Sequence, residues 1–283
     1  MSSSMVGKTT KRFRHVAEAR WLMSYAAGLG DTHAAYFDTT GTVVAHPVFS
    51  VCPEWPVVLD ARKIEGSQSM TAEESRRGVH ATHDVVVSKP ITADDVLFTT
   101  GRIISVEQRK PGAYQVMKLQ TQNDRGETLI TTYQGGLSRD VEVVGGAKSQ
   151  EEVPALPDRS LGRTDGTKIQ IPVAAGAAHV YTECARIWNP IHTDKAVAQS
   201  AGLPDIILHG TATLALAVSK LIDHVLDGDL TRVGRYACRF AAMVLMPSTL
   251  TLEIDAKTDE HVWFTVYNEQ GQPAISGGYL GMS

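Results

Sequence analysis

Asn189-Pro190-Ile191-His192 is the stretch of this chain best suited to chemistry. Asparagine in a turn bonds its own backbone and proline fixes φ, so the pair presents the following imidazole in one orientation. Imidazole titrates near neutral pH, which suits His192 to general acid–base work. A small-residue helical segment follows and ends at Leu203-Pro204, and an apolar run then leads into His209-Gly210. Gly210 opens a second helix. A glycine there lets a ligand approach the backbone, and its N–H lies at the positive end of the helix dipole. His192 is thus a proton carrier beside a backbone donor, Gly210, that can polarise a carbonyl. Asn189 supports the loop, His209 anchors the turn, and Trp188 lines a pocket or packs at an interface. The alternative for each is packing, with His192 as a cap or core residue and Gly210 as a spacer between helix and sheet.

Other arrangements carry less. Gly28-Leu29-Gly30 lacks the third glycine and the preceding strand of a dinucleotide fingerprint. No Gly-x-Ser-x-Gly elbow supports a serine nucleophile. His80 and His83 have no third ligand nearby in sequence, and strand alternation predicts that they face opposite ways. Cys52, Cys184 and Cys238 lack pairing or metal spacing, so no metal site is expected, and they suit a reducing compartment.

The elements that must position the loop occur twice. Tyr25 through Asp38 lies beside Tyr181 through Asp194 at a constant offset of 156, with both tyrosines and both closing aspartates in register. Strand patterns follow each copy: 83–88, 96–107, 114–123 and 128–135, then 236–241, 249–257, 261–268 and 274–280. Both halves turn their last hairpin on a glycine-containing tight turn, Asn123 to Gly126 and Asn268 to Gly271. One substantial helical region precedes the strands in each half. The clearer one runs from Gly210 to about Leu226, apolar on most faces and therefore buried. The expectation is α+β: a curved antiparallel sheet wrapped around one central helix, twice. Gly, Ser, Gln, Glu and Pro cluster at 148–162, which is read as a linker between domains 1–147 and 163–283.

A length of 283 residues with 43 % hydrophobic and 20 % charged residues fits a globular protein, and a net charge of −4 offers no basic field for nucleic acid. The polar N-terminus has no apolar core of a secretory signal, and no apolar run approaches membrane-spanning length. A cytoplasmic location is expected.

Tyr181, Asn189-Pro190-Ile191-His192 and Ile207-Leu208-His209-Gly210 resemble the MaoC-like, or hydratase 2, family of hotdog dehydratases. The resemblance implies a double hotdog. It also implies hydration of an enoyl thioester or dehydration of a (3R)-hydroxyacyl one, with the acyl group on CoA or a carrier protein and no metal or organic cofactor. Carried over, His192 is half of a catalytic dyad and Gly210 the donor to the thioester oxygen. The family's dyad aspartate falls at Ile187, in Ala185-Arg186-Ile187 where the family has Ser-Gly-Asp. The first copy reverses this, keeping Gly30-Asp31 but placing Tyr36 where the histidine would be. Asp31, Glu183, Asp194 and Asp205 are the carboxylates available as substitutes, and a changed reaction needing one base is the other repair. Ile187 and His209 would then border the substrate, and Arg186 would pair with a substrate carboxylate or remain on the surface. Two rivals stand beside the hydratase: a non-catalytic or partner-dependent acyl-CoA-binding subunit, and a hotdog thioesterase. A homodimer is expected from the edges such sheets leave to be covered.

Overall fold

The structure, a computed structural model, describes residues 1–67 and 70–283. Its contacts fall into two compact units. One comprises Met1–His15, Pro53–Ser88 and Val96–Leu156; the other comprises Val16–Cys52, Lys89–Asp95 and Pro157–Ser283. The change of unit at Leu156 lies inside the expected linker, whereas residues 16–52 join the second unit rather than the half in which they occur. Packing explains this: the first copy of the loop motif lies against the second, and Trp21 donates its Nε1–H to the Cys184 carbonyl at 3.1 Å. Sequence repeats and packing units are therefore different divisions of this chain.

In the first unit β1 (Phe13–Val16), β2 (Gly78–Val87), β3 (Val96–Arg109), β4 (Gly112–Gln122) and β5 (Thr128–Arg139) assemble in the order β1-β3-β4-β5-β2, with the short β6 (Lys148–Ser149) on β3. The long strands alternate buried and part-exposed residues, as one packed face requires. Helix α1 (Ala19–Gly28) belongs to the second unit, and α2 (Val51–Ala61) supplies the helix of the first. Val57 of α2 packs in one core with Ile103, Met117 and Leu119 of the sheet. A short helix, α3 (Ala72–Arg76), begins with a capping box between Thr71 and Glu74.

One expectation fails here. His80 and His83 face the same way, their rings edge to face at 5.1 Å. His80 pairs with Gly136 and Thr82 with Gly135, so two steps on β2 oppose one on β5. That bulge inverts the alternation between the two histidines.

In the second unit the short β7 (Arg163–Thr164) and β8 (Lys168–Val173) both pair with a later strand, β10. The main sheet runs β9 (Val233–Phe240), β12 (Pro273–Met282), β11 (His261–Tyr267), β10 (Ser248–Lys257). Helix α4 (Ala177–Ala185) precedes the Asn-Pro-Ile-His loop, α5 (Lys195–Ser200) follows it, and α6 (Gly210–Val225) is the long buried helix. Small residues let α6 sit close to the sheet: Ala212, Ala215, Ala217 and Ser219 are all buried. Both predicted hairpins form. Asn123 and Asn268 each accept backbone N–H groups at the turn, and Gly126 and Gly271 take φ of +80° and +71°.

Candidate active site

The loop is built by a helix end followed by a proline-led turn. α4 stops because Arg186 enters the left-handed region at φ +58°, after which Ile187 donates its N–H to the Thr182 carbonyl at 3.1 Å. Asn189 is extended, and Pro190 starts a 3₁₀ turn, Pro190–His192, closed by the His192 N–H on the Asn189 carbonyl at 3.1 Å. Asn189 makes no side-chain cap, so its contribution to the turn is its backbone.

The first copy repeats this backbone residue for residue. Ala34–Tyr36 is the matching 3₁₀ turn. Asp31 N–H donates to the Ala26 carbonyl at 3.0 Å, the counterpart of Ile187 on Thr182. Gly30, at φ +70°, is the counterpart of Arg186. Glycine meets that conformation without strain; arginine does so at a cost of about 1 kcal/mol.

The His192 ring is fixed from both sides. Nδ1 lies 2.8 Å from the Ile207 carbonyl, which only accepts, so the proton sits on Nδ1 and Nε2 carries the lone pair. His209 stacks on the ring with centroids 3.6 Å apart and planes 24° apart. His209 in turn lies beside Tyr181 (4.9 Å between centroids) and has Nε2 3.3 Å from Thr182 Oγ1. Burial pushes the His192 pKa down to about 4, opposed by the Ile207 carbonyl; burial and then the His192 ring push His209 down to about 2. Both imidazoles are neutral at pH 7. His192 retains 8 % of its surface, so the ring is not sealed. Gly210 is the first residue of the 16-residue α6, and a Cβ on it would meet the Phe240 ring at 2.9 Å. Its glycine identity is therefore a packing requirement.

The cleft beside the loop encloses about 290 Å³ and is lined by His179, Thr182, Glu183, Trp188, Pro190 and Thr193. Thr182 connects this cleft to the imidazole stack. Trp188 is 60 % exposed and donates Nε1–H to Glu183 Oε2 at 3.4 Å. The structure separates the expected carboxylates. Glu183 lines the cleft, Asp194 Oδ1 caps α5 through the Val197 N–H, Asp205 pairs with Lys195 at 2.8 Å, and Asp31 sits in the first copy beside Tyr36. Arg186 lies over the Trp21 ring at 4.1 Å and 4.0 Å from Glu18, where it clamps the end of α4. Ile187 is buried at 6 % exposure. The sequence reading passed over His179 and Thr182, although with Glu183 they share one face of α4 at i, i+3 and i+4 spacing. Among the described residues no group of three or more metal-ligating side chains converges, and no helix is long and apolar enough to cross a membrane.

Residues 158–276 match the MaoC like domain, and residues 4–132 match the FAS1-like, dehydratase domain region. The chain is 25 % identical over 181 residues to an enoyl-CoA hydratase, ChsH3, of Mycobacterium tuberculosis, covering 64 % of this chain and 62 % of that protein. It is 23 % identical over 273 residues to the peroxisomal multifunctional enzyme type 2 of Drosophila melanogaster, covering 92 % of this chain and 44 % of that one. The chain thus spans less than two thirds of the length of these relatives. A MaoC-like dehydratase structure from Phytophthora capsici superposes with a TM-score of 0.82 at 19 % identity, over 99 % of this chain and 97 % of the other. The fold is a double hotdog.

Proposed function

We propose, from a chain whose residues 158–276 form a MaoC-like domain, that the protein is an acyl-thioester hydratase/dehydratase working through His192. The observation that carries this is the His192 tautomer: the Ile207 carbonyl holds the proton on Nδ1 and leaves Nε2 free as a base. In hydration the Nε2 lone pair takes a proton from water while the water oxygen bonds to Cβ of the enoyl thioester. Negative charge moves to the thioester oxygen, which the Gly210 N–H and the α6 dipole stabilise. The imidazolium then returns its proton to Cα. Atoms balance, and dehydration is the reverse. The names of the relatives support this class of substrate, with the acyl group carried on CoA and the chain's own residues doing the chemistry. The proposal includes a homodimer, for which light scattering at twice the mass of 30.6 kDa is the measurement.

A second reading has its own observation. Ile187 is buried where the dyad carboxylate would stand, which favours an acyl-CoA-binding subunit without turnover. Incubation of the purified protein with crotonyl-CoA separates the readings. Loss of the enoyl absorbance without release of free thiol is the expected result. Thiol release would make it a thioesterase, and binding without either change would make it a binding subunit.

A further inference from the structure

The cleft beside the Asn-Pro-Ile-His loop carries a chemistry that the His192 mechanism leaves unused. Its walls hold one carboxylate, Glu183, and no lysine or arginine. Glu183 sits in the last turn of α4, where the helix dipole is negative, and that turn has no basic residue. The carboxylate is thus repelled by the backbone end on which it stands. Arg186, the cap residue that follows, does not answer it: its guanidinium lies over Trp21 and reaches Glu18. Among the described residues Glu183 has one hydrogen-bond partner, the Trp188 Nε1–H, and at 3.4 Å that bond is long. Trp188 therefore stands beside the carboxylate with 60 % of its surface open. Of the aromatic side chains, tryptophan draws a cation to its ring face most strongly. His179 adds an acceptor. Its Nε2 lies 3.2 Å from the Thr193 carbonyl, which only accepts, so the neutral ring keeps its lone pair on Nδ1. Carboxylate, indole, imidazole and helix C-terminus all favour positive charge, around a space of about 290 Å³. A phosphate or a second carboxylate finds no charged partner on these walls.

We propose that this cleft binds a small organic cation, with the positive charge held between the Glu183 carboxylate and the Trp188 ring. A quaternary ammonium group suits it best. Such a group donates no hydrogen bond, so the carboxylate and the indole face supply all that it requires. The cation is either a separate small molecule or a charged group carried on the acyl chain of a thioester. The inference goes beyond the thioester reading and stands on the cleft alone.

Choline is the probe, and 3,3-dimethylbutan-1-ol, its uncharged carbon isostere, is the control. Saturation-transfer NMR on the methyl signal of each, titrated at fixed ionic strength, gives the two affinities. Choline is expected to bind about tenfold more tightly, the combined worth of one exposed cation–π contact and one exposed ion pair. Both side chains are exposed, so replacing them leaves the core intact. Glu183→Gln is expected to weaken choline by about threefold or more and to leave the isostere unchanged. Trp188→Leu is expected to weaken choline more than the isostere. Displacement of choline by crotonyl-CoA would make the cation part of the acyl chain, whereas simultaneous binding would make it a separate small molecule. Equal affinity for choline and the isostere overturns the proposal, as does choline binding that ignores Glu183→Gln. A protein that hydrates crotonyl-CoA but fails this test refutes only this inference; one that binds choline but no ester refutes only the preceding reading.

Discussion

At the scale of single residues, the contrast between Ile187 and Asp31 decides what the loop can do. Both donate their backbone N–H to the equivalent carbonyl, so the two side chains leave the chain at equivalent points. Asp31 is close enough to act electrostatically on both Tyr36 and His46. A carboxylate at 187 would therefore act on His192 and His209 in the same way, raising the His192 pKa from about 4 toward neutrality. Ile187→Asp is expected to raise kcat/KM for crotonyl-CoA at least tenfold at pH 7. It should also cost about 1–3 kcal/mol of stability for burying the carboxylate. An unchanged rate in a folded variant would show that position 187 does not face the reacting water.

At the scale of elements, the register between helix ends and turns places the chemistry, and much of it is legible in sequence. The offset between the loops predicts two equivalent turns, and the backbone hydrogen bonds of Ala34–Tyr36 and Pro190–His192 repeat accordingly. Alternation finds the eight main strands to within a few residues of their ends. What stays hidden depends on contacts distant in sequence. The stack of His209 on His192 requires the chain to return between α5 and α6, and the pairing of His46 with Ser219 spans 173 positions. The bulge on β2 is hidden for another reason: one extra residue reverses a face without any change in composition. Gly210 is legible as a helix opener but not as a neighbour of Phe240. Gly210→Ala is expected to push the Phe240 ring and the helix start apart, costing about 1–3 kcal/mol and at least tenfold in turnover. Melting and steady-state rates on one preparation check this; full activity would remove Gly210 from the oxyanion role.

At the scale of the whole molecule, buried titratable groups bound the pH range of stability from both sides. His46 and His192 are held near pKa 4 by burial. Their unfolded forms bind protons first as pH falls below about 6.5, so stability declines across that window. Glu54 works in the opposite direction. It is 2 % exposed on α2, accepts from Thr132 Oγ1 at 2.5 Å, and burial pushes its carboxyl up to about 8. Its unfolded form ionises first as pH rises above the usual carboxylate range, so stability is lost between that range and pH 8. Glu54→Gln is therefore expected to stabilise the protein by about 4 kcal/mol more at pH 8 than at pH 4.5. Urea unfolding at the two pH values measures it, and an equal effect at both would mean that Glu54 titrates normally.

The proposed chemistry depends on one ring nitrogen, Nε2 of His192. The most direct measurement compares crotonyl-CoA hydration by the wild-type protein and His192→Ala, with CoA-ester binding followed in parallel. Loss of 10²-fold or more in kcat with ester binding retained is the expected result, the usual contribution of a positioned acid–base group. Wild-type turnover that survives the substitution within a few-fold would contradict it.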